Sequence, residues 1–252
     1  MNGKPEKIST RVKRIVQMLR ERTQGVEVLN SNGEKVVISR DQLLKMRLRI
    51  DSENNFATAS GLASSSSGLS CLSFVLAQLY GVTEEFEGEY TKFARLGSGS
   101  ACRSLYGGFV QWHRGFDHID EVKSTPDAVS NRSIASKVDI SQESLNFWLS
   151  NLQIFICVVK PKDHESLQKD VPSTDGMKIS LDTSELMALR LAENVPQRHI
   201  NELTGFLEER NFSKFAELTM RESNQLHAVC LDTYPPIFYM NETSKHIIKA
   251  CT

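Results

Sequence analysis

A chain of 252 residues is long enough to bury a sizeable core and to divide into two small domains. Its 30 basic and 31 acidic residues leave a net charge of -1, which removes any chain-wide electrostatic reason to expect nucleic acid or a membrane surface and points to a small-molecule partner. No apolar run approaches the roughly 18 residues of a membrane span, and the five cysteines lack CxxC spacing, which argues against zinc and a disulfide framework and for a reducing, cytoplasmic setting.

The charged N-terminus has no signal-peptide core behind it, and Asn2-Gly3 is a hairpin dipeptide with no strand before it, so the chain is expected to begin mid-fold. From Pro5 onward, Ile8, Val12, Ile15, Val16 and Leu19 recur at helical spacing, with Arg11, Lys13, Arg14 and Arg20 on a solvated face. Residues 26–29 and 35–39 flank Asn32-Gly33 and form a hairpin pattern. An alternating segment at 47–51 predicts a strand that feeds the loop at 54–68, which is small, rich in hydroxyls and holds Gly61 and Gly68. Leu69, Leu72, Val75, Leu76 and Leu79 then mark a helix.

Strand, small-residue loop and helix start together make a phosphate cradle: the backbone can approach closely, and the helix offers unpaired N–H groups and a positive dipole end. Four consecutive serines also suit a flexible linker, although this run passes without a break into the helical pattern. The Gly-Lys-Ser/Thr ending of a Walker loop is missing.

Glu84, Glu85, Glu87 and Glu89 read as a solvated connection to a short helix at 90–96. A second unusual stretch follows, in which Ser98, Ser100 and Arg103 lie within Gly97-Ser98-Gly99-Ser100-Ala101-Cys102-Arg103-Ser104-Leu105. With a helix starting near Ser100, its N–H groups, the two hydroxyls and the arginine fork converge on one anion. Two such loops imply two phosphorylated ligands. Residues 117–141 read as an insertion loop, and 154–159 as a buried strand just after a boundary that gives domains 1–150 and 151–252. The rest is mainly helical: Thr183 is the expected cap of a helix through 194, Pro196 opens another, a third starts at Ser213, and a last one covers 243–250.

The order of these segments resembles the mevalonate diphosphate decarboxylases. Asn54-Asn55-Phe56, Gly61-Leu62-Ala63-Ser64-Ser65 and, above all, residues 97–105 with Gly107-Gly108 carry the likeness. It continues through Ser173-Thr174 with Gly176-Met177, Ser223-Asn224 with His227, and Asp232 with Pro235-Pro236. The resemblance implies an α+β, mixed α/β chain with the two-domain fold of the galactokinase, homoserine kinase, mevalonate kinase and phosphomevalonate kinase superfamily. Its N-terminal domain would be ribosomal-protein-S5-like and ATP-binding, and its C-terminal domain ferredoxin-like.

It further implies ATP and Mg2+ as cofactors, mevalonate diphosphate as substrate and a homodimer. ATP-dependent decarboxylation would yield isopentenyl diphosphate, ADP, phosphate and CO2, a step of isoprenoid and sterol synthesis. Ser64, Ser65, Gly61 and Gly68 would then serve the ATP phosphates, and Ser98, Ser100, Arg103 and Ser173 the substrate. His227 is expected to be structural.

The sequence departs from the family pattern at Ala57, where proline is usual, and at Ser60, Ser66 and Ser67, where alanine is common. The family's Lys-Tyr-Trp-Gly-Lys and Asp-Ala-Gly-Pro-Asn segments, with the lysine and aspartate assigned to catalysis, lie outside these 252 residues. Both domains are therefore expected to be incomplete and the chain alone to be inactive. A related small-molecule kinase and a noncatalytic nucleotide-binding remnant are the other readings.

Overall fold

Ser9 starts the first helix by accepting a hydrogen bond from the Val12 N–H at 3.3 Å, and the computed structural model describes residues 8–56, 62–115, 130–157 and 170–251 of the chain. Contacts divide the chain into two units, 1–138 and 139–252. The division falls ahead of the helix at 142–151, whereas the sequence pattern placed a boundary after it.

In the first unit, α1 (Thr10–Arg22) buries Ile15 and Leu19. Strands β1 (Gly25–Leu29) and β2 (Lys35–Ser39) pair antiparallel from Gly25↔Ser39 to Leu29↔Lys35, as the Asn-Gly turn requires. Ser39 and Gln42 form a capping box that starts α2 (Arg40–Lys45). Next come α3 (Ser64–Leu79), α4 (Glu89–Gly97), a 3-10 helix (Gly99–Leu105), β3 (Val110–Trp112) and β4 (Ala135–Lys137). Ile15, Leu19, Leu43, Leu76, Ala77, Tyr80, Val82 and Phe93 form one core. Gly81 sits at φ +60°, where an added Cβ would lie 2.6 Å from the Gly25 carbonyl oxygen, so the close return of the chain after α3 depends on glycine.

The acidic stretch departs from expectation. Glu89 is only 1% exposed and receives both Arg22 Nη1 at 2.6 Å and Nη2 at 3.3 Å, while the Glu85 N–H donates to it at 2.9 Å. Burial pushes its carboxyl up, but the Arg22 guanidinium and the Glu85 N–H outweigh that and hold it below the ordinary value of 4.5. The basic face of α1 is likewise not wholly solvated, since Arg20 donates to Tyr80 Oη and to the Met46 carbonyl, each at 2.7 Å.

Three strand and loop expectations change. Residues 47–51 form no strand, because no ladder partner stands beside them among the described residues. Within the supposed insertion, β4 pairs with β3 from Val110↔Lys137 to Trp112↔Ala135, and the Ala135 N–H is received by the Thr91 hydroxyl at 2.9 Å. Residues 154–157 are neither strand nor buried, with Ile154 80% and Phe155 85% exposed, and no described strand pairs with them. Residues 158–159 and most of the insertion lie outside the described residues.

The described part of the second unit is helical: α5 (Gln142–Asn151), α6 (Ser173–Thr183), α7 (Glu185–Ala192), α8 (Val195–Glu208), α9 (Phe212–Asp232) and α10 (Glu242–Cys251). Trp148 is its anchor, donating Nε1–H to the Leu207 carbonyl at 2.7 Å and packing on Phe147, Phe212 and Phe215. Ser184, not Thr183, caps α7, because the Thr183 hydroxyl is already bonded to the Ile179 carbonyl within α6. Asn211 caps α9 one residue before the expected start. The buried histidine of this unit is His199, paired with Glu222, which also receives Arg190.

Replacing Glu89 by Gln takes the buried carboxylate from Arg22 and leaves that guanidinium to the exposed Glu85 carboxylate at 2.9 Å, and is expected to lower stability by about 2 kcal/mol near neutrality in urea unfolding. A carboxyl held low in the folded state contributes stability above its unfolded pKa and loses it as pH falls through the folded value. The gap between parent and Glu89→Gln should therefore narrow as pH falls below the ordinary value of 4.5 and close below the lower folded value, and a gap unchanged at pH 3 would contradict the assignment. Burial also pushes the Cys102 and Cys230 thiols up, while Cys71, Cys157 and Cys251 are exposed. A thiol reagent should titrate three cysteines in the folded chain and the remaining two only on unfolding.

Candidate functional site

The helix at the serine tract begins earlier than its apolar pattern indicates. Ser64 and Ser65 are the first two residues of α3, and Ser66, Ser67 and Gly68 follow in the same turn and the next. The residue before the helix, Ala63, has φ 56° and ψ 37° and supplies no side-chain cap, while the Ser66 and Ser67 N–H groups bond back to its carbonyl at 2.9 and 3.0 Å. A helix start with no capping side chain and the positive end of the dipole is suited to an anion. Ser65 is exposed and Ser64 half-buried. Gly68 meets nothing within 4 Å of an added Cβ, so no steric demand explains it. Gly61 lies outside the described residues.

The buried residues of α3 are Leu76 and the small Ser66, Ser70, Ser73 and Ala77, the last four at spacings of four, three and four, whereas Val75 and Leu79 are exposed. Small side chains let the 3-10 helix and α4 pack closely on α3. Gly97 belongs to the same economy of space, since an added Cβ would stand 2.6 Å from Ile15 Cδ1 and 3.5 Å from Leu69 Cβ. At this contact the Ser66 and Ser100 hydroxyl oxygens lie 2.5 Å apart. The structure thus joins the two stretches that the sequence marked separately.

Ser98 has extended backbone at the end of α4, and its carbonyl receives the Ala101 N–H at 2.9 Å. Ser100 is half-buried and Arg103 exposed, with its guanidinium carbon 5.8 Å from the Trp112 ring centre. Trp112 is held in turn by its Nε1–H, which donates to the Ser133 hydroxyl at 3.1 Å. A planar guanidinium resting on an aromatic face keeps its fork available to a carboxylate or phosphate. Arg95 donates to the carbonyl and the hydroxyl of Ser130, both at 3.0 Å, and its buried Nε has no hydrogen-bond partner among the described residues. Burial pushes its pKa down.

Sequence reasoning missed Ser66, Trp112 and Arg95. The spacing of Ser66, Ser70 and Ser73 was a legible signal of a close-packed helix face, but nothing in the sequence alone joins Trp112 to Arg103.

Ser173 belongs to the second unit, where it opens α6 with Pro172 ahead of it. Gly176 in the next positions is needed for space, because an added Cβ would lie 2.4 Å from the Tyr239 hydroxyl. Hollows of about 250 and 450 Å³ in the first unit, one lined by Arg22 and Glu85 and the other by Tyr106 and Ile134, include none of the candidate residues. No group of three His, Cys, Asp or Glu able to hold a metal occurs among the described residues, and no described helix is long and apolar enough to cross a membrane.

Residues 1–124 match the diphosphomevalonate decarboxylase-like N-terminal domain, and residues 154–252 match the mevalonate 5-diphosphate decarboxylase C-terminal domain. A diphosphomevalonate decarboxylase of Candida albicans is 46% identical over 208 residues, which are 82% of this chain and 51% of that protein. Among solved structures, a mevalonate 5-diphosphate decarboxylase is matched with a TM-score of 0.68 at 33% identity, over 99% of this chain and 57% of the other. The chain called MDDEF, solved in complex with MVAPP, AMPPCP and magnesium, is matched at 25% identity and a TM-score of 0.68, over 98% of this chain and 62% of the other. The chain spans about half the length of the curated relatives it matches. Its two-domain kinase-superfamily fold is theirs, and with both units matched in order by the two domains of one enzyme, the chain belongs to the diphosphomevalonate decarboxylase family.

Proposed function

We propose that these residues serve the ATP-dependent decarboxylation of mevalonate diphosphate to isopentenyl diphosphate, with ADP, phosphate and CO2 as the other products. The observation that carries this reading is the packing of the serine-rich α3 start against the 98–103 segment, with Ser66 and Ser100 in hydrogen-bond contact. The family match supplies the chemistry, and the complex of MDDEF with MVAPP, AMPPCP and magnesium supports a nucleotide, a diphosphate substrate and Mg2+ as ligands.

In this reading Ser64 and Ser65, with the first-turn N–H groups of α3, hold ATP phosphates, and Gly61 and Gly68 flank them. Their contribution is positioning and charge stabilisation, which is most of what phosphoryl transfer asks of a protein. Mg2+ would ride on the phosphates, keeping several waters, and neutralise their charge. Ser98, Ser100 and Arg103 hold the substrate's diphosphate and carboxylate, and Ser173 in the second unit adds a hydroxyl. The first unit, near 1–150, is then the ATP-binding domain, and the second, near 151–252, its partner. A cytoplasmic homodimer acting in isoprenoid and sterol synthesis goes with this assignment, the homodimer and the pathway by family resemblance and the reducing compartment by the five free cysteines.

The reaction is tested by mixing the chain with ATP, Mg2+ and mevalonate diphosphate and following products. Phosphate and CO2 released in equal amounts support the reaction and overturn the expectation that these 252 residues alone are inactive; ADP without CO2 would indicate a small-molecule kinase. For the residues, Arg103→Ala should weaken mevalonate diphosphate binding by roughly tenfold or more in calorimetry, the scale of a lost charged hydrogen bond. Arg103→Lys should recover little of it, because an ammonium lacks the bidentate fork. Unchanged affinity in Arg103→Ala would remove that residue from the substrate site.

A further inference from the structure

We infer that Ser66 is a positioning residue for the substrate anion, acting through Ser100 and not by touching the ligand, an inference that rests on the proposed assignment of Ser100 to the substrate. Ser66 is 3% exposed on the inner face of α3, so a ligand cannot reach it. Its hydroxyl oxygen lies 2.5 Å from that of Ser100, which is half-buried and so keeps part of its surface open.

Proton accounting sets the direction of this contact. Two hydroxyls that face each other share one hydrogen bond, so one donates and the other accepts. A carboxylate or phosphate oxygen can only accept, so Ser100 must turn its own proton toward the anion. Its oxygen is then the acceptor for the proton of Ser66. The result is a chain from Ser66 to Ser100 to the anion, with every proton in use. Such a chain polarises the middle hydroxyl and makes it a stronger donor. It also fixes one rotamer of Ser100, which removes an ordering cost on binding. Alanine at position 66 would leave Ser100 free to turn its proton elsewhere.

The experiment is calorimetric titration of the chain with mevalonate diphosphate, using the parent, Ser66→Ala, Ser100→Ala and the double variant. Ser66→Ala fills the same helical position with a better helix former, and circular dichroism with a urea midpoint checks that each variant folds. Ser66→Ala is expected to weaken binding about fivefold. The double variant is expected to bind like Ser100→Ala, because Ser66 has no route to the ligand once Ser100 is gone. A merely structural effect of the substitution would persist in the Ser100→Ala background.

Parent-like affinity in Ser66→Ala, or losses that multiply in the double variant, would overturn this inference and leave the substrate assignment standing. Parent-like affinity in Ser100→Ala, or a parent that binds no mevalonate diphosphate, would overturn the assignment itself and this inference with it.

Discussion

The bidentate contact between Arg22 and the buried Glu89 carboxylate sets the frame of the first unit. Arg22 ends α1 and Glu89 begins α4, so the pair ties a helix C-terminus to a helix N-terminus, where each charge also meets the favourable end of its own helix dipole. A carboxylate with so little exposure is tolerable only when its lone pairs are taken, and Arg22 and the Glu85 N–H take them. Fixing the start of α4 fixes its end as well. At the far end of its nine residues the helix delivers Gly97 against Ile15 of α1 and Leu69 of α3, and the chain turns there into Ser98.

From that point the site is built by smallness. Ala101 and Cys102 are fully buried, Gly99 leaves room for the Trp112 ring 3.1 Å from where a Cβ would be, and the inner face of α3 offers serines. Larger residues at any of these places would separate the 3-10 helix from α3 and move Ser100 out of reach of Ser66. Two hydroxyl-bearing segments 34 residues apart meet because nothing bulky keeps them apart, and the buried Ser66 hydroxyl finds its partner in the half-buried Ser100.

Legibility followed the range of the interaction. The β1–β2 hairpin was plain because Asn32-Gly33 determines its turn locally, and α7 to α10 were legible because apolar periodicity is local as well, whereas α5 and α6 carried no such signal and the cap of α7 was placed one residue early. The phosphate-cradle reading of the serine tract needed only the strand, loop and helix grammar, although the strand itself is not there and the helix claims the serines. The paired strand at Ala135–Lys137 was hidden because its residues have little strand propensity and its hydrogen bonds depend on Val110–Trp112 and Thr91. Glu89 was misjudged for the same reason, since its three acidic neighbours suggest solvent and only Arg22, far away in sequence, explains its burial. Residues 154–157 show the reverse failure: an apolar run met the composition of a buried strand with no described neighbour to bury it.

The position of the serines relative to the helix start carries a final point. A serine at the capping position satisfies first-turn N–H groups with its own oxygen and thereby stabilises the helix by about 1 kcal/mol. In this chain the capping position holds Ala63, in left-handed backbone and without a capping oxygen, and the serines stand one to four residues inside. Placed there they lower helix propensity, a choice unfavourable to the helix taken alone. An anion held at Ser64 and Ser65, as proposed, would supply acceptor oxygens to the first turn, so that binding and the order of the helix start would be coupled.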